Sequence, residues 1–169
     1  CAASNEANDN DVTKVYPSDY SYGQDFSSRV ISVGAIREDG KIARNSNYGA
    51  KSVSIFAPGE MIESTYPTNL ASSGYQFLGG TSMAAPFVTG TAALMFSLYL
   101  DANSTGEYGM SHADIAAEIK ELIIKSATYE SNLDGKCVAN GRLNAYNAVR
   151  LAASFDTTIL SDYTLRING

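Results

Sequence analysis

From Thr81 to Leu100 the chain reads as a long helix that is apolar on every side, broken only by Thr89, Thr91 and Ser97, and no charged residue occurs between Glu63 and Asp101. A surface helix shows a polar face to water, whereas one that is hydrophobic all round and bounded by polar loops is predicted to run through the middle of a core. Such a helix needs partners on all its sides, so the rest of the fold has to be arranged in layers around it. Pro86 falls in its second turn, where the missing N–H leaves a carbonyl near Ser82 without its usual partner.

The segments before the helix have strand character. Arg29 to Ile36 is short, β-branched and mostly apolar, as expected of a strand covered on both faces. Ser52 to Ala57 is a second such run, stopped by Pro58-Gly59, and Met61 to Tyr66 and Tyr75 to Leu78 read as shorter strands. Residues 6 to 28 are polar loop, punctuated by Tyr16-Pro17. After the long helix, Ser111 and Asp114 form a capping pair for a helix whose apolar face is Ile115, Ile119, Leu122 and Ile123, with Glu121 and Lys125 spaced for an i,i+4 pair. A short helix is predicted from about Asn144 to Ala153. Alternation of Tyr163, Leu165 and Ile167 with Thr164, Arg166 and Asn168 predicts a final strand. Strands interleaved with helices make this an α/β layered fold.

The length of 169 residues suits about one domain. Twelve Lys and Arg against eighteen Asp and Glu give a net charge of -6 with no basic cluster, which excludes nucleic acid and anionic membrane as natural partners. Unbroken apolar runs such as Ala92 to Phe96 are too short to span a bilayer, so a soluble chain with no membrane partner is expected. The chain starts at Cys1 without a readable signal peptide, and its natural N-terminus is expected to lie further upstream. Cys1 and Cys137 match no zinc pattern and are read as free thiols. Asn103-Ser104-Thr105 is a glycosylation sequon of consequence only in a eukaryotic secretory setting.

The chemistry concentrates in Gly79-Gly80-Thr81-Ser82-Met83-Ala84-Ala85-Pro86. A serine after two glycines, at the start of a long helix, has its hydroxyl at the positive end of the helix dipole and leaves room for a substrate backbone to approach. Ser82 as a plain helix N-cap is the alternative reading. The flanking pattern decides between them: GTSMAAPFVTG closely resembles the serine motif of the subtilisin-like serine proteases. It is not the G-x-S-x-G elbow of α/β-hydrolases, because Ala84 stands where that motif has Gly. Further segments resemble the same family in the family's order. Cys1-Ala2-Ala3-Ser4-Asn5 is similar to its A-A-G-N strand end, and Tyr16-Pro17 with Val30 to Ala35 to its Y-P and V-I-x-V-G-A. Ser46-Asn47-Tyr48-Gly49, Ala57-Pro58-Gly59 and Gly141-Arg142-Leu143-Asn144-Ala145 resemble S-N-Y-G, A-P-G and G-x-[VL]-N-A.

The resemblance covers residues 1–153 and leaves 154–169 as a C-terminal strand-like extension. It implies the C-terminal portion of a mostly parallel-sheet, three-layer subtilisin-like catalytic domain, with a buried central helix starting at the nucleophile. It implies a serine endopeptidase acting on peptide or protein substrates, with Ser82 as nucleophile and Asn5 as oxyanion donor. Ala2 and Ser4 would border the pocket for the substrate side chain before the scissile bond, and Thr81 would support the oxyanion donors. Ser4 departs from the family's usual Gly. The family's catalytic Asp and His precede the A-A-G-N segment, and His112, the one histidine, lacks the family's H-G-T context and is read as a solvated first-turn residue. The triad Asp and His are therefore expected from sequence upstream, in a missing N-terminal half of the same domain, and the chain alone is expected to be inactive and to expose an apolar patch. The alternative is a pseudoprotease or non-catalytic binding module that keeps the serine motif. No cofactor is required for such catalysis. Relatives commonly hold structural calcium, for which Asp9-Asn10-Asp11 could supply oxygens, although a solvated polar loop is the plainer reading. The family resemblance also implies a secreted or extracellular setting.

Overall fold

The computed structural model describes residues 1–104 and 109–154, the last four residues of the first stretch by their backbone alone. Its centre is a four-stranded sheet. Strands β1 (Val33–Ile36) and β2 (Ile55–Pro58) run parallel in the register Val33 to Ile55 and Ala35 to Ala57. On the far side of β2 lies β6 (Gly141–Arg142), also parallel, and at the edge β5 (Thr128–Tyr129) pairs antiparallel with β6. A separate antiparallel hairpin joins β3 (Ile62–Thr65) and β4 (Tyr75–Leu78). The helices are α1 (Thr81–Ser104), α2 (His112–Lys125) and α3 (Ala145–Ser154). The architecture is α/β with a mostly parallel sheet.

The strands predicted at Arg29 to Ile36 and Ser52 to Ala57 are longer than those found, because their first residues bond into local turns: the Arg29 and Val30 N–H groups donate to Phe26 O and Ser27 O, and the Val53 N–H donates to Gly49 O. Ser32 and Ser54, at the entrances to β1 and β2, spend their side chains on one another's surroundings: the Ser54 hydroxyl accepts from the Ser32 N–H at 3.1 Å, and the Ser18 and Ser32 hydroxyls lie 2.6 Å apart. Regular ladder pairing begins beyond them. At the other edge of β1, the Ala3 N–H donates to Val33 O and the Val33 N–H to Cys1 O, each at 2.9 Å, so residues 1–3 run alongside β1 like a further strand. Gly34 pairs with Phe56 across the ladder, and a Cβ at Gly34 would sit 2.3 Å from the buried Phe56 ring. The β1–β2 contact therefore depends on the absence of a side chain there.

Among the described residues α1 is covered along one side only, which leaves the apolar patch expected of the chain alone. Thr81, Ala84, Val88, Thr91, Met95 and Tyr99 form one buried stripe of α1 against β1, β2, α2 and α3. The opposite face is open, with Phe87, Leu94 and Leu100 exposed by 43%, 59% and 42%. The described residues pack on one side of α1 and supply nothing for the other. Over Thr81–Leu100 the mean hydropathy reaches 1.5, long and apolar enough on length and composition to cross a membrane. Counting unbroken apolar runs hid this, because single Thr, Ser and Gly residues interrupt the run without lowering its mean far.

Helix α2 forms as predicted. The Ser111 hydroxyl accepts from the Asp114 N–H at 3.2 Å, the Asp114 carboxylate accepts from the Ser111 N–H at 3.3 Å, and Ile115, Ile119, Leu122 and Ile123 are buried. The Glu121–Lys125 pair closes at 2.9 Å but is exposed to solvent, so it adds little to stability. Asn144 caps α3 by accepting from the Asn147 N–H at 2.9 Å. Lys120 was not singled out by sequence. Its ammonium reaches from α2 to donate to Ser21 O and Ser27 O at 2.9 and 2.7 Å, binding the short 3-10 helices Ser18–Ser21 and Ser27–Arg29 to the helix, and burial pulls its pKa down to about 8. Both cysteines are free thiols, Cys1 exposed and Cys137 buried. The predicted strand at Tyr163 to Ile167, nearly all of the 154–169 extension, and Thr105 of the sequon lie outside the described residues.

Replacing Gly34 with Ala forces the Phe56 ring from its place in a closed core, and overpacking of this kind costs about 1–3 kcal/mol. Urea unfolding of the Gly34→Ala protein is expected to show a midpoint lowered accordingly with an unchanged slope.

Candidate active site

The turn between β4 and α1 is held from below by the end of the parallel sheet. The Gly59 N–H donates to Ile36 O at 3.0 Å, and the Gly80 N–H donates to Gly59 O at 2.7 Å. A Cβ at Gly59 would meet Ala35 Cβ at 2.6 Å, Gly80 O at 2.9 Å and Ala84 Cβ at 3.1 Å, so Ala57-Pro58-Gly59 is the seat on which the serine turn rests. Gly80 has φ +136°, which a residue with a side chain rarely adopts. Ser82 follows as the second residue of α1 and is exposed. Its N–H belongs to the first helical turn, where no intrahelical carbonyl is available to it, and the helix dipole favours negative charge at this end.

Asn5 reaches the same place from the loop that continues residues 1–3. Its Oδ1 accepts from the Thr81 N–H at 2.9 Å and from the Thr81 hydroxyl at 3.3 Å, while Thr81 Oγ1 accepts from the Ser4 N–H at 3.2 Å. A backbone N–H can only donate, so the carboxamide atom facing Thr81 must be the oxygen. Asn5 Nδ2 is then turned away from Thr81 and has no acceptor among the described residues. The structure thus brings Ser4, Asn5, Thr81 and Ser82 together. Ala2 lies one step back, bridged to Val33, and touches neither Thr81 nor Ser82 through a hydrogen bond. His112 is exposed at the start of α2, its ring 5.9 Å from that of Phe96, which is four turns and roughly 20 Å along α1 from Ser82. It cannot reach the serine.

The Asn5 loop is bent by two non-glycine residues in the left-handed region, Ser4 at φ +88° and Ala7 at φ +55°. Backbone of this kind costs about 1–3 kcal/mol per residue and persists where its surroundings hold it. Here the holding groups come largely from Ser46-Asn47-Tyr48-Gly49. The Ser46 hydroxyl accepts from the Ala35 N–H at 2.9 Å, tying this segment to β1, and Asn47, fully buried, bonds to the loop after Asn5 through its side chain and to Ser4 O before it through its backbone N–H. The sequence shows this segment as a family-like motif and marks no task for it, since its partners lie 39 and 41 residues away. A cleft of about 1070 Å³ opens separately at the ends of β1 and β2, among Arg37, Asp39, Glu60, Glu130 and Arg142, and contains neither Ser82 nor Asn5.

The Asp9-Asn10-Asp11 segment is not the solvated loop expected. Asn10 is fully buried, its Nδ2 donating to Ala3 O at 2.9 Å and its Oδ1 accepting from Asn47. Asp9 Oδ1 accepts from the Asp11 N–H at 2.9 Å, and Asp11 Oδ1 accepts from the Ser52 N–H and hydroxyl at 2.9 and 2.7 Å. These oxygens serve as acceptors for the protein itself and do not fit the six or more oxygen ligands of a calcium ion. Among the described residues no group of three or more His, Cys, Asp or Glu is placed to hold a metal. Burial pushes the Asp11 carboxyl up, but the Ser52 hydroxyl and N–H, the Lys51 N–H and the nearby Lys14 charge outweigh it and hold the pKa below 3.8.

Comparison with known proteins gives these contacts their setting. The sequence profile described as Subtilase family matches residues 1–149. The chain is 36% identical over 153 residues to the extracellular basic protease of Dichelobacter nodosus, covering 85% of this chain and 22% of the relative. It is 35% identical over 173 aligned positions to the intracellular serine protease of Paenibacillus polymyxa, covering 99% of this chain and 47% of the relative. Among solved structures, the prenylagaramide maturation protease PagA superposes with a TM-score of 0.62 at 28% identity, over 88% of this chain and 48% of that one. The chain therefore spans about half the length of this structure and less than half of both relatives.

Two expectations follow from the loop. Ser4→Gly removes a side chain from a φ of +88°, and thermal unfolding should show the variant more stable by up to about 1 kcal/mol. Because the folded-state pKa of Asp11 is depressed, its contribution is present above the unfolded value of 3.8 and is lost as pH falls through the folded value. The stability advantage of the unmodified protein over Asp11→Asn should shrink as pH is lowered through 3.8 and below, as measured by urea titrations at successive pH values.

Proposed function

The chain belongs to the subtilase family, and from that premise we propose that it carries the nucleophile and the oxyanion donors of a serine endopeptidase whose Asp and His come from sequence upstream. The observation that carries this reading is the orientation of one side chain. With its oxygen bound by Thr81, Asn5 offers Nδ2 as a donor beside the exposed Ser82, whose own N–H is the second donor.

In this mechanism Ser82 Oγ attacks the carbonyl carbon of a peptide bond while the upstream His takes the hydroxyl proton. The carbonyl oxygen becomes an oxyanion and receives hydrogen bonds from Asn5 Nδ2 and the Ser82 N–H. Collapse expels the amine, protonated by the same His, and leaves an acyl group on Ser82 that water then hydrolyses. Thr81 holds Asn5 from behind, and Ser4, with Ala2 further back, borders the substrate residue before the scissile bond. No cofactor takes part, and no step is assigned to calcium. The substrate is a peptide or protein; the net charge of -6 argues against nucleic acid.

The partner of this chain is the other half of the same domain. The exposed Phe87, Leu94 and Leu100 on α1 would be covered by that half rather than by lipid, since the opposite stripe of the same helix packs on the sheet and its first turn carries Ser82. Without that half Ser82 has no base, because His112, on α2, stands beside Phe96, four turns along α1 from Ser82, and the chain alone would be inactive. We place the protein outside the cell, as its similarity to the extracellular basic protease supports; the intracellular relative shows that membership of the family does not require it.

A fluorophosphonate probe, which reacts with activated serines, tests the reading by intact-mass measurement. The protein carrying its upstream sequence is expected to gain one adduct at Ser82, lost in Ser82→Ala together with about 10⁶ in kcat on a peptide substrate. These 169 residues alone are expected to remain unlabelled. An unlabelled upstream-containing protein would mean that the serine motif persists without catalysis.

A further inference from the structure

Asn47 has no place in the reaction just described, yet among the described residues no other side chain grips the Asn5 loop at so many points. It is fully buried. Its backbone N–H donates to Ser4 O at 3.0 Å, its Oδ1 accepts from the Glu6 N–H at 2.8 Å and the Asn8 N–H at 3.1 Å, and its Nδ2 donates to Asn10 Oδ1 at 2.8 Å. These partners straddle Asn5 in sequence, one residue before it and three after it. The Asn10 carboxamide continues the chain of bonds to Ala3 O at 2.9 Å, back to the strand that enters the loop. From below, the Ser46 hydroxyl donates to Asn47 O at 3.0 Å while accepting from the Ala35 N–H in β1.

We propose that Asn47 is a positioning residue that sets the place of the Asn5 carboxamide, with Asn10 as its relay to Ala3; the proposal rests on Asn5 being the oxyanion donor. Asn5 itself is exposed and, among the described residues, its side chain is anchored only through Oδ1 to Thr81, so its remaining freedom is that of the backbone that carries it. That backbone turns through left-handed residues at Ser4 and Ala7, which do not hold this conformation unaided. A single buried carboxamide that accepts from the N–H groups of Glu6 and Asn8 fixes the turn immediately after Asn5. A displaced donor loses most where charge develops, in the transition state, so the defect belongs in kcat rather than in substrate binding.

The test is a double-mutant cycle in the protein carrying its upstream sequence, with thermal unfolding recorded for each variant. Asn5→Ala should lower kcat by about 10²–10³, a magnitude carried over from the family. Asn47→Ala should lower kcat by about 10–10², with KM changed by no more than a few-fold. In the Asn5→Ala background the same Asn47→Ala change should cost almost nothing further, because the group it positions is gone. Asn47→Asp keeps an oxygen for the Glu6 and Asn8 N–H groups and should recover part of the lost kcat. An unchanged kcat in Asn47→Ala, or an equal loss in both backgrounds, would overturn the proposal, since a general loss of structure acts whether or not Asn5 is present. If the unmodified protein and Asn5→Ala prove equally inactive, the functional reading fails separately, and hydrogen exchange then decides the structural role. Exchange of the Glu6 and Asn8 amides faster by about tenfold or more in Asn47→Ala would support the clamp, and unchanged protection would refute it.

Discussion

The Thr81 N–H and Asn5 Oδ1 meet at 2.9 Å across 76 residues of sequence, and the arrangement around Ser82 depends on that bond. It joins the first turn of α1 to the loop leaving the sheet edge, and its polarity settles which end of the Asn5 carboxamide faces outward. Were the amide reversed, two donors would oppose each other at Thr81. The bond also gives the first-turn N–H of Thr81 a partner, leaving that of Ser82 without one among the described residues. One interaction therefore orients a side chain and defines which backbone donor is free.

The bond can form because both segments are carried by the sheet. Residues 1–3 run along one edge of β1, and Gly59, at the end of β2, receives Gly80 through its carbonyl oxygen. Parallel strands buried on both faces make a rigid frame, and close approach is bought with glycine at Gly34 and Gly59, where a Cβ would overlap its neighbours. The Asn5 loop is less regular and is held by a polar network instead, with Asn10 and Asn47 fully buried and hydrogen-bonded to each other. Buried carboxamides are costly unless satisfied, which is why such a network specifies one loop conformation.

Much of this was legible residue by residue. The Ser111–Asp114 capping pair, the apolar face of α2 and the Asn144 start of α3 follow from local rules that act within one or two turns, and the structure reproduces them. The strands at Arg29 to Ile36 and Ser52 to Ala57 were located but read too long, because β-branched patterning does not reveal that the Ser32 N–H turns to the Ser54 hydroxyl, and the two-residue strands β5 and β6 carry no such pattern and were not read. The serine motif and Asn5 were legible through family-like context, whereas the tasks of Asn47, Asp11 and Lys120 were not. Each of those three bonds to residues tens of positions away, and nothing in the local pattern marks the partner.

The long apolar helix shows where the two kinds of information divide. By itself the sequence determined that Thr81 to Leu100 is a helix with no face suited to water and that Ser82 stands at its start, because propensity, periodicity and the position of a residue in a turn are local properties. It could not say which face would find a partner. Only the tertiary structure decided that Ala84, Val88, Met95 and Tyr99 face the sheet and the other helices while Phe87 and Leu94 do not. Burial is a property of pairs of surfaces: an apolar side chain gains its roughly 1.5–3 kcal/mol only where another surface displaces its water, and the existence of that surface is written elsewhere in the chain or outside it.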